Sequence, residues 1–223
     1  MSNKSIIIDF DNTIGYFDQI IYIINIFERV YTQEILDLEL FKILDQYPNV
    51  FRPYLKDIFD LILFHKDNKN IELFVLYTCN SKSNFVNRIA KYLQIKFKKS
   101  IIFDYTIYEK SKTKSLNTLL NETNIDIQDN VLCFIDDKSF DYQNNPNIKY
   151  IKCESYIYNY ELKDIIYNFP YEEFNKISSM TLKKYFDVIY KKKKKRKSHL
   201  PLTAYKINSE YIMFVLNSFI NAC

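Results

Sequence analysis

The chain has 223 residues, 48% hydrophobic and 26% charged, with four cysteines, one glycine and no tryptophan. This composition excludes a disordered chain and fits one domain of ordinary size with an appendage, large enough to bury a core. The net charge of +4 is uneven: Lys191 to Lys197 is an unbroken run of seven cations, and without them 24 of the 31 basic residues face 27 acidic ones.

The chain opens on Ile6, Ile7 and Ile8, a short apolar run suited to a strand buried on both faces of a parallel sheet. It leads into Asp9 and Asp11, with Thr13 on the loop beyond. In open α/β sheets that edge is where ligands bind. Gly15, the only glycine, is expected where a tight or left-handed turn needs it. Asp9 and Asp11 repel each other, and a divalent cation between them would let both stay ionised. Oxygen-only ligands on a loop suit magnesium. The plainer alternative is a strand followed by an ordinary Asp/Asn/Thr turn.

Apolar spacing predicts a helix from Phe17 to Tyr31 and another from Glu34 to Gln46, ended by Pro48. Arg52-Pro53 opens a third helix, with Leu55, Ile58, Phe59 and Ile62 facing inward. Glu72 to Thr78 is a second buried strand, followed by Cys79-Asn80-Ser81 and a helix from Ser83 or Asn84 to about Gln94. A third strand is expected from Ser100 to Asp104, then a basic loop, Lys110 to Lys114, before a leucine-patterned helix. Val131 to Ile135 is another apolar strand, ended by Asp136 and Asp137, and Ile148 to Cys153 is the last. Beyond it, 160–167, 171–178, 181–190 and 210–219 are patterned as helices.

Alternating strands and helices with short connections argue for an α/β fold, a doubly wound parallel sheet covered by helices on both faces. The expected organisation is a core over 1–170, with a small helical insertion after strand 1 (17–47), and a helical C-terminal extension over 171–223. The insertion is either a cap over the site or two ordinary covering helices. No apolar run approaches a membrane span, and no signal-peptide pattern opens the chain. Cys79, Cys133, Cys153 and Cys223 lack metal-type spacing, so reduced thiols in an intracellular protein, cytoplasmic or nuclear, are expected.

Polar groups suited to phosphate chemistry recur at the predicted strand ends: Asp9 and Asp11, then Thr78 and Asn80, then a lysine, then Asp136 and Asp137. Each alone has an ordinary explanation, since Thr and Asn end strands routinely and loop lysines are mostly solvated. Together, and in this order, they resemble the haloacid dehalogenase superfamily of phosphohydrolases, whose first motif is a hydrophobic run followed by D-x-D-x-T. The resemblance covers about Ser5 to Cys153. FRPYLKDIFDLI followed by LFVLYTCNS, and Lys114-Ser115-Leu116, look like the branch that dephosphorylates RNA polymerase C-terminal domains. DFDNT in place of DLDET, and Asp-Asp in place of Asp-Asn, depart from that branch.

The resemblance implies a phosphatase in which Asp9 is the nucleophile, forming an aspartyl-phosphate, and Asp11 the acid and then the base. It implies Mg²⁺ held by Asp9, the backbone carbonyl of Asp11, and Asp136 or Asp137. Thr78 and Asn80 would meet the phosphate, and Lys114 would balance its charge, with Lys110 and Lys112 as rivals. Thr13 would brace the loop. The resemblance implies a phosphoprotein or a small phosphate ester as substrate, with a nucleotide or nucleic-acid end as the alternative. A phosphorelay receiver domain has its acidic pair and its phospho-acceptor in the reverse order. A catalytically inactive binding module would not need this set of residues. The run Lys191 to Lys197 is expected to give weak, salt-sensitive contact with nucleic acid, or to serve nuclear import.

Overall fold

A computed structural model describes residues 3–28, 32–161 and 200–222. The chain divides into two compact units, one of residues 1–156 with 201–223 and the other of 157–200. The expected helices at 160–167, 171–178 and 181–190, the boundary at 170 and the basic run at 191–197 lie outside the described residues, 160 and 161 apart.

The first unit is an α/β fold built on a five-stranded, all-parallel, Rossmann-like sheet. Its strands are β1 (Asn3–Ile8), β2 (Leu73–Thr78), β3 (Tyr105–Tyr108), β4 (Asn130–Asp136) and β5 (Ile148–Lys152), in the order β3-β2-β1-β4-β5. Six helices are described: α1 (Asp18–Phe27), α2 (Gln33–Gln46), α3 (Leu55–Asp67), α4 (Ser83–Phe97), α5 (Leu116–Thr123) and α6 (Leu202–Asn221). The chain winds outward from β1 to β3, then restarts on the other side of β1 with β4. This reversal is the topological switch point at which sheets of this class bind ligands.

The triple isoleucine makes β1 the central strand because both sheet faces are covered. Residues alternate between the faces. Ile7, Val75, Tyr77 and Phe134 cluster with Leu119 of α5 on one face. On the other, Phe74 packs edge-on against Phe59 of α3, with ring centroids 5.3 Å apart. Phe59 in turn meets Phe97 of α4. Register sets the site: Ile8 pairs with both Leu76 and Ile135, so Asp9 and Asp136 leave the sheet side by side.

Four expectations are corrected. The edge strand is not Ser100 to Asp104 but Tyr105–Tyr108. Ile102 and Phe103 are buried as a plug, with Phe103 against Phe59 and Phe74. Asp104 imitates a strand partner, its Oδ2 accepting the Phe74 amide at 2.7 Å, and the ladder starts one residue later. Pro53 does not enter α3, which begins at Leu55 after a left-handed Tyr54, φ 58°. Gly15 is not left-handed; Asn12 is, at φ 63°. Gly15 is required instead by close approach, since a Cβ there would lie 2.4 Å from the Val50 carbonyl oxygen.

Finally, α6 starts at Leu202 rather than Glu210 and belongs to the main unit. It packs on α3, β4 and β5, where a separate extension was expected. Tyr205 is buried edge-on against Tyr156, which explains the earlier start. None of the described helices is long and apolar enough to cross a membrane. The described cysteines, Cys79, Cys133 and Cys153, are free thiols.

Candidate active site

The expected residues from three different strand ends meet at the C-terminal edge of the sheet. The Asp9 amide donates to the Ile135 carbonyl at 3.0 Å, continuing the β1–β4 ladder one residue past the strand. Lys114, on the loop between β3 and α5, reaches in between the two carboxylates that this register sets side by side. Its Nζ lies 2.6 Å from Asp9 Oδ1 and 2.6 Å from Asp136 Oδ2. All three residues are buried. Burial opposes the charge on Lys114, but the two carboxylates outweigh it and push its pKa up. Lys110 and Lys112, the rival lysines, are exposed.

Asp11 is only partly covered, and its carboxyl bonds to Asn80 rather than to Lys114. Asn80 Nδ2 donates to both of its oxygens, at 3.0 and 3.1 Å. Burial first, and the Asp9 charge next, push the Asp11 carboxyl up to about 6, while the Asn80 bond works in the opposite direction. A carboxyl so poised holds or releases a proton near neutral pH. Asn80 was expected at the phosphate. Its side chain is instead engaged with Asp11 and, through Oδ1, with the Lys82 amide at 2.8 Å.

Thr78 ends β2 and is fully buried. Its Oγ1 accepts the Asn80 amide at 3.0 Å, so its own hydroxyl hydrogen is available to another acceptor. Thr13 is also buried and braces the loop as expected: its Oγ1 accepts the Asp137 amide at 3.2 Å. Asp136 and Asp137 are both raised in pKa, by burial first and by Asp9 next.

Asp9, Asp136 and Asp137 each bring a carboxylate oxygen within 4.8 Å of the others. Asp136 already accepts Lys114 on Oδ2 and the Lys138 amide on Oδ1. Asp137 Oδ1 is buried with no hydrogen-bond partner. A buried carboxylate oxygen left open is costly unless something positive meets it. With all three ionised, three carboxylates against one ammonium would leave two negative charges, which one divalent cation would neutralise. The donors are all oxygens, which suits magnesium. The Asp11 side chain is not part of this group.

Three contributors were not expected from sequence. Arg52 is buried and fans across the back of the loop. It donates to the carbonyls of Thr13 (2.6 Å), Asn12 (2.9 Å) and Glu154 (2.6 Å), and to Asn208 Oδ1 (2.9 Å). Tyr77 and Glu109 tie down the loop that carries Lys114. The signal for Arg52 lay in the Arg-Pro pair, but nothing local marked Glu109 among its lysines. The insertion after β1 leans on α4: Lys82, just before that helix, donates to Asn25 of α1, and Arg88 and Lys91 pair with Asp37 of α2. A cavity of about 640 Å³, lined by Phe51, Tyr54, Tyr92 and Leu202, includes none of Asp9, Asp11, Asp136, Asp137 and Lys114.

A scan against protein-family models gives no match, and a search of curated proteins gives none either. Geometry and residue order therefore carry the functional reading.

Proposed function

We propose that the chain is a magnesium-dependent phosphoric monoester hydrolase that works through a phosphorylated Asp9. The observation that carries this reading is the buried Lys114 ammonium, 2.6 Å from both Asp9 and Asp136. Burying a lysine between two aspartates does little for stability that apolar residues would not do. It is well suited to holding a carboxylate nucleophile beside the place where phosphoryl charge develops. The order Asp9/Asp11, Thr78, Lys114, Asp136/Asp137 also matches that of the haloacid dehalogenase superfamily the sequence resembles.

In this mechanism Asp9 attacks phosphorus through Oδ2, while Oδ1, which accepts Lys114, keeps a second lone pair for the metal. The bond from phosphorus to the leaving oxygen breaks, and Asp11 gives that oxygen a proton. Asp11, now a carboxylate, takes a proton from the water that attacks the Asp9 phosphate. Inorganic phosphate leaves and both aspartates are restored. Asn80 holds the Asp11 carboxyl in place for both transfers. Thr78 donates its free hydroxyl hydrogen to a phosphoryl oxygen, and Lys114 balances the charge. Magnesium held by Asp9, Asp136 and Asp137 would offset the repulsion between the carboxylate and the phosphate.

Purified protein should hydrolyse an aryl phosphate in the presence of Mg²⁺, and a chelator should abolish the activity. Asp9→Asn should be folded and inactive. Wild-type turnover by Asp9→Asn would remove Asp9 as nucleophile.

A further inference from the structure

Lys114 is the buried residue of the stretch from Lys110 to Lys114, whose internal bonds join Ser111 to Thr113 and do not reach the lysine side chain. Lys110, Ser111, Lys112 and Thr113 before it are all exposed. The loop has no proline to stiffen it, and Lys110 and Lys112 repel each other and Lys114. A lysine side chain has four rotatable carbons and about 2 kcal/mol of rotamer entropy to lose. Something must fix its two ends.

Two residues do so. Glu109, at the start of the loop, closes it as a ring of hydrogen bonds. Its Oε1 accepts the Ser111 amide and its Oε2 the Ser115 amide, both at 3.3 Å. The same Oε2 accepts the Tyr77 hydroxyl at 2.7 Å. That hydroxyl oxygen in turn receives the Ser115 amide at 2.9 Å. Tyr77 sits one residue before the end of β2, fully buried in the core under α5, so the loop is pinned to a rigid central strand. Its ring serves Lys114 directly: the ammonium lies 5.5 Å from the Tyr77 ring centroid and 5.8 Å from that of Phe140. The two rings favour the charge, and the hydroxyl fixes the backbone next to it.

We propose that Tyr77 and Glu109 are positioning residues that hold Lys114 against Asp9, an inference that rests on the phosphohydrolase reading of this site. Neither touches the reacting groups; both act through the lysine.

The experiment is a pair of cycles on the full chain with Mg²⁺ and an aryl phosphate. Tyr77→Phe keeps the ring and removes one oxygen. Glu109→Gln keeps the size and removes the charge. Each should lower kcat by about tenfold with KM within about twofold, since a small misplacement of a catalytic group costs rate rather than binding. Combined with Lys114→Ala, each should cost less than about twofold more, because residues that act through one another are not additive. Equal losses in both backgrounds, or unchanged kcat in the single variants, would overturn the inference.

A second readout does not need turnover. Acetylation by acetic anhydride, followed by peptide mass spectrometry, compares Lys114 with exposed Lys110 on the same loop. Lys114 should be protected in the wild type and label at least about fivefold faster in Tyr77→Phe. Unchanged protection would overturn the clamp. If the wild type hydrolyses no aryl phosphate, the functional reading fails and the labelling result alone decides whether Tyr77 holds the lysine. Tyr77→Phe also carries the test if Glu109→Gln does not fold.

Discussion

Removing the Arg52 guanidinium should be among the most damaging single changes in the chain. Its donors satisfy three backbone carbonyls, those of Asn12, Thr13 and Glu154, and the side-chain oxygen of Asn208. The residue is 2% exposed, so water does not replace it readily. A buried acceptor that loses its donor costs ~1–3 kcal/mol. Two such carbonyls, those of Thr13 and Glu154, together with the lost Asn208 bond and packing, give ~3–5 kcal/mol for Arg52→Ala, while the Asn12 carbonyl keeps the Tyr156 amide at 2.8 Å. For a chain of this size each kcal/mol moves Tm by ~2–4 °C, so the drop should be roughly 6–20 °C. Circular dichroism at 222 nm during heating and during urea titration measures both quantities. Arg52→Lys should recover little, because one ammonium cannot reach a fan of acceptors. Asn208→Ala alone should cost ~1 kcal/mol, and markedly less in the Arg52→Ala background, because the two are direct partners. A Tm loss under ~3 °C for Arg52→Ala would refute the reasoning, since it would mean the carbonyls find other donors at no cost.

Gly15→Ala places a Cβ 2.4 Å from the Val50 carbonyl, whose oxygen also accepts the Tyr16 amide at 2.7 Å. The two backbone segments must part, and the urea midpoint should fall by the equivalent of ~2–3 kcal/mol. Glu109 gives a pH prediction: slight burial would raise its carboxyl, but the Tyr77 hydroxyl and nearby amides outweigh this and pull it from the usual 4.5 down to about 2. The folded pKa lies below the unfolded one, so its contribution is present above pH 4.5 and is lost as pH falls towards 2. The stability gap between wild type and Glu109→Gln in urea titrations should therefore narrow steadily below pH 4.5, and a gap independent of pH would refute the assignment.

The site was legible in sequence because its chemistry sits at the ends of apolar runs. IIIDFD and VLCFIDD each read as a buried strand spilling carboxylates into a loop, and the parallel register then sets Asp9 beside Asp136. Lys114 could be picked from three lysines because the leucine pattern of α5 starts two residues later, which draws that part of the loop towards the core. Hidden features were those set by partners far away in the chain. IIF at 101–103 is as apolar as a strand, and only Phe59 and Phe74 decide that it is a plug. Gly15 was rightly singled out for the wrong reason, because φ is a local property whereas the approach of Val50 depends on a segment 35 residues later. Tyr77 looked like one more core aromatic of β2. Alternation places its ring on the α5 face, but its hydroxyl gains meaning only from a glutamate 32 residues on. Arg52 and Asn208 meet across 156 residues. The groups expected to react could be named from the sequence, whereas the groups that hold them still appear only when the sheet assembles.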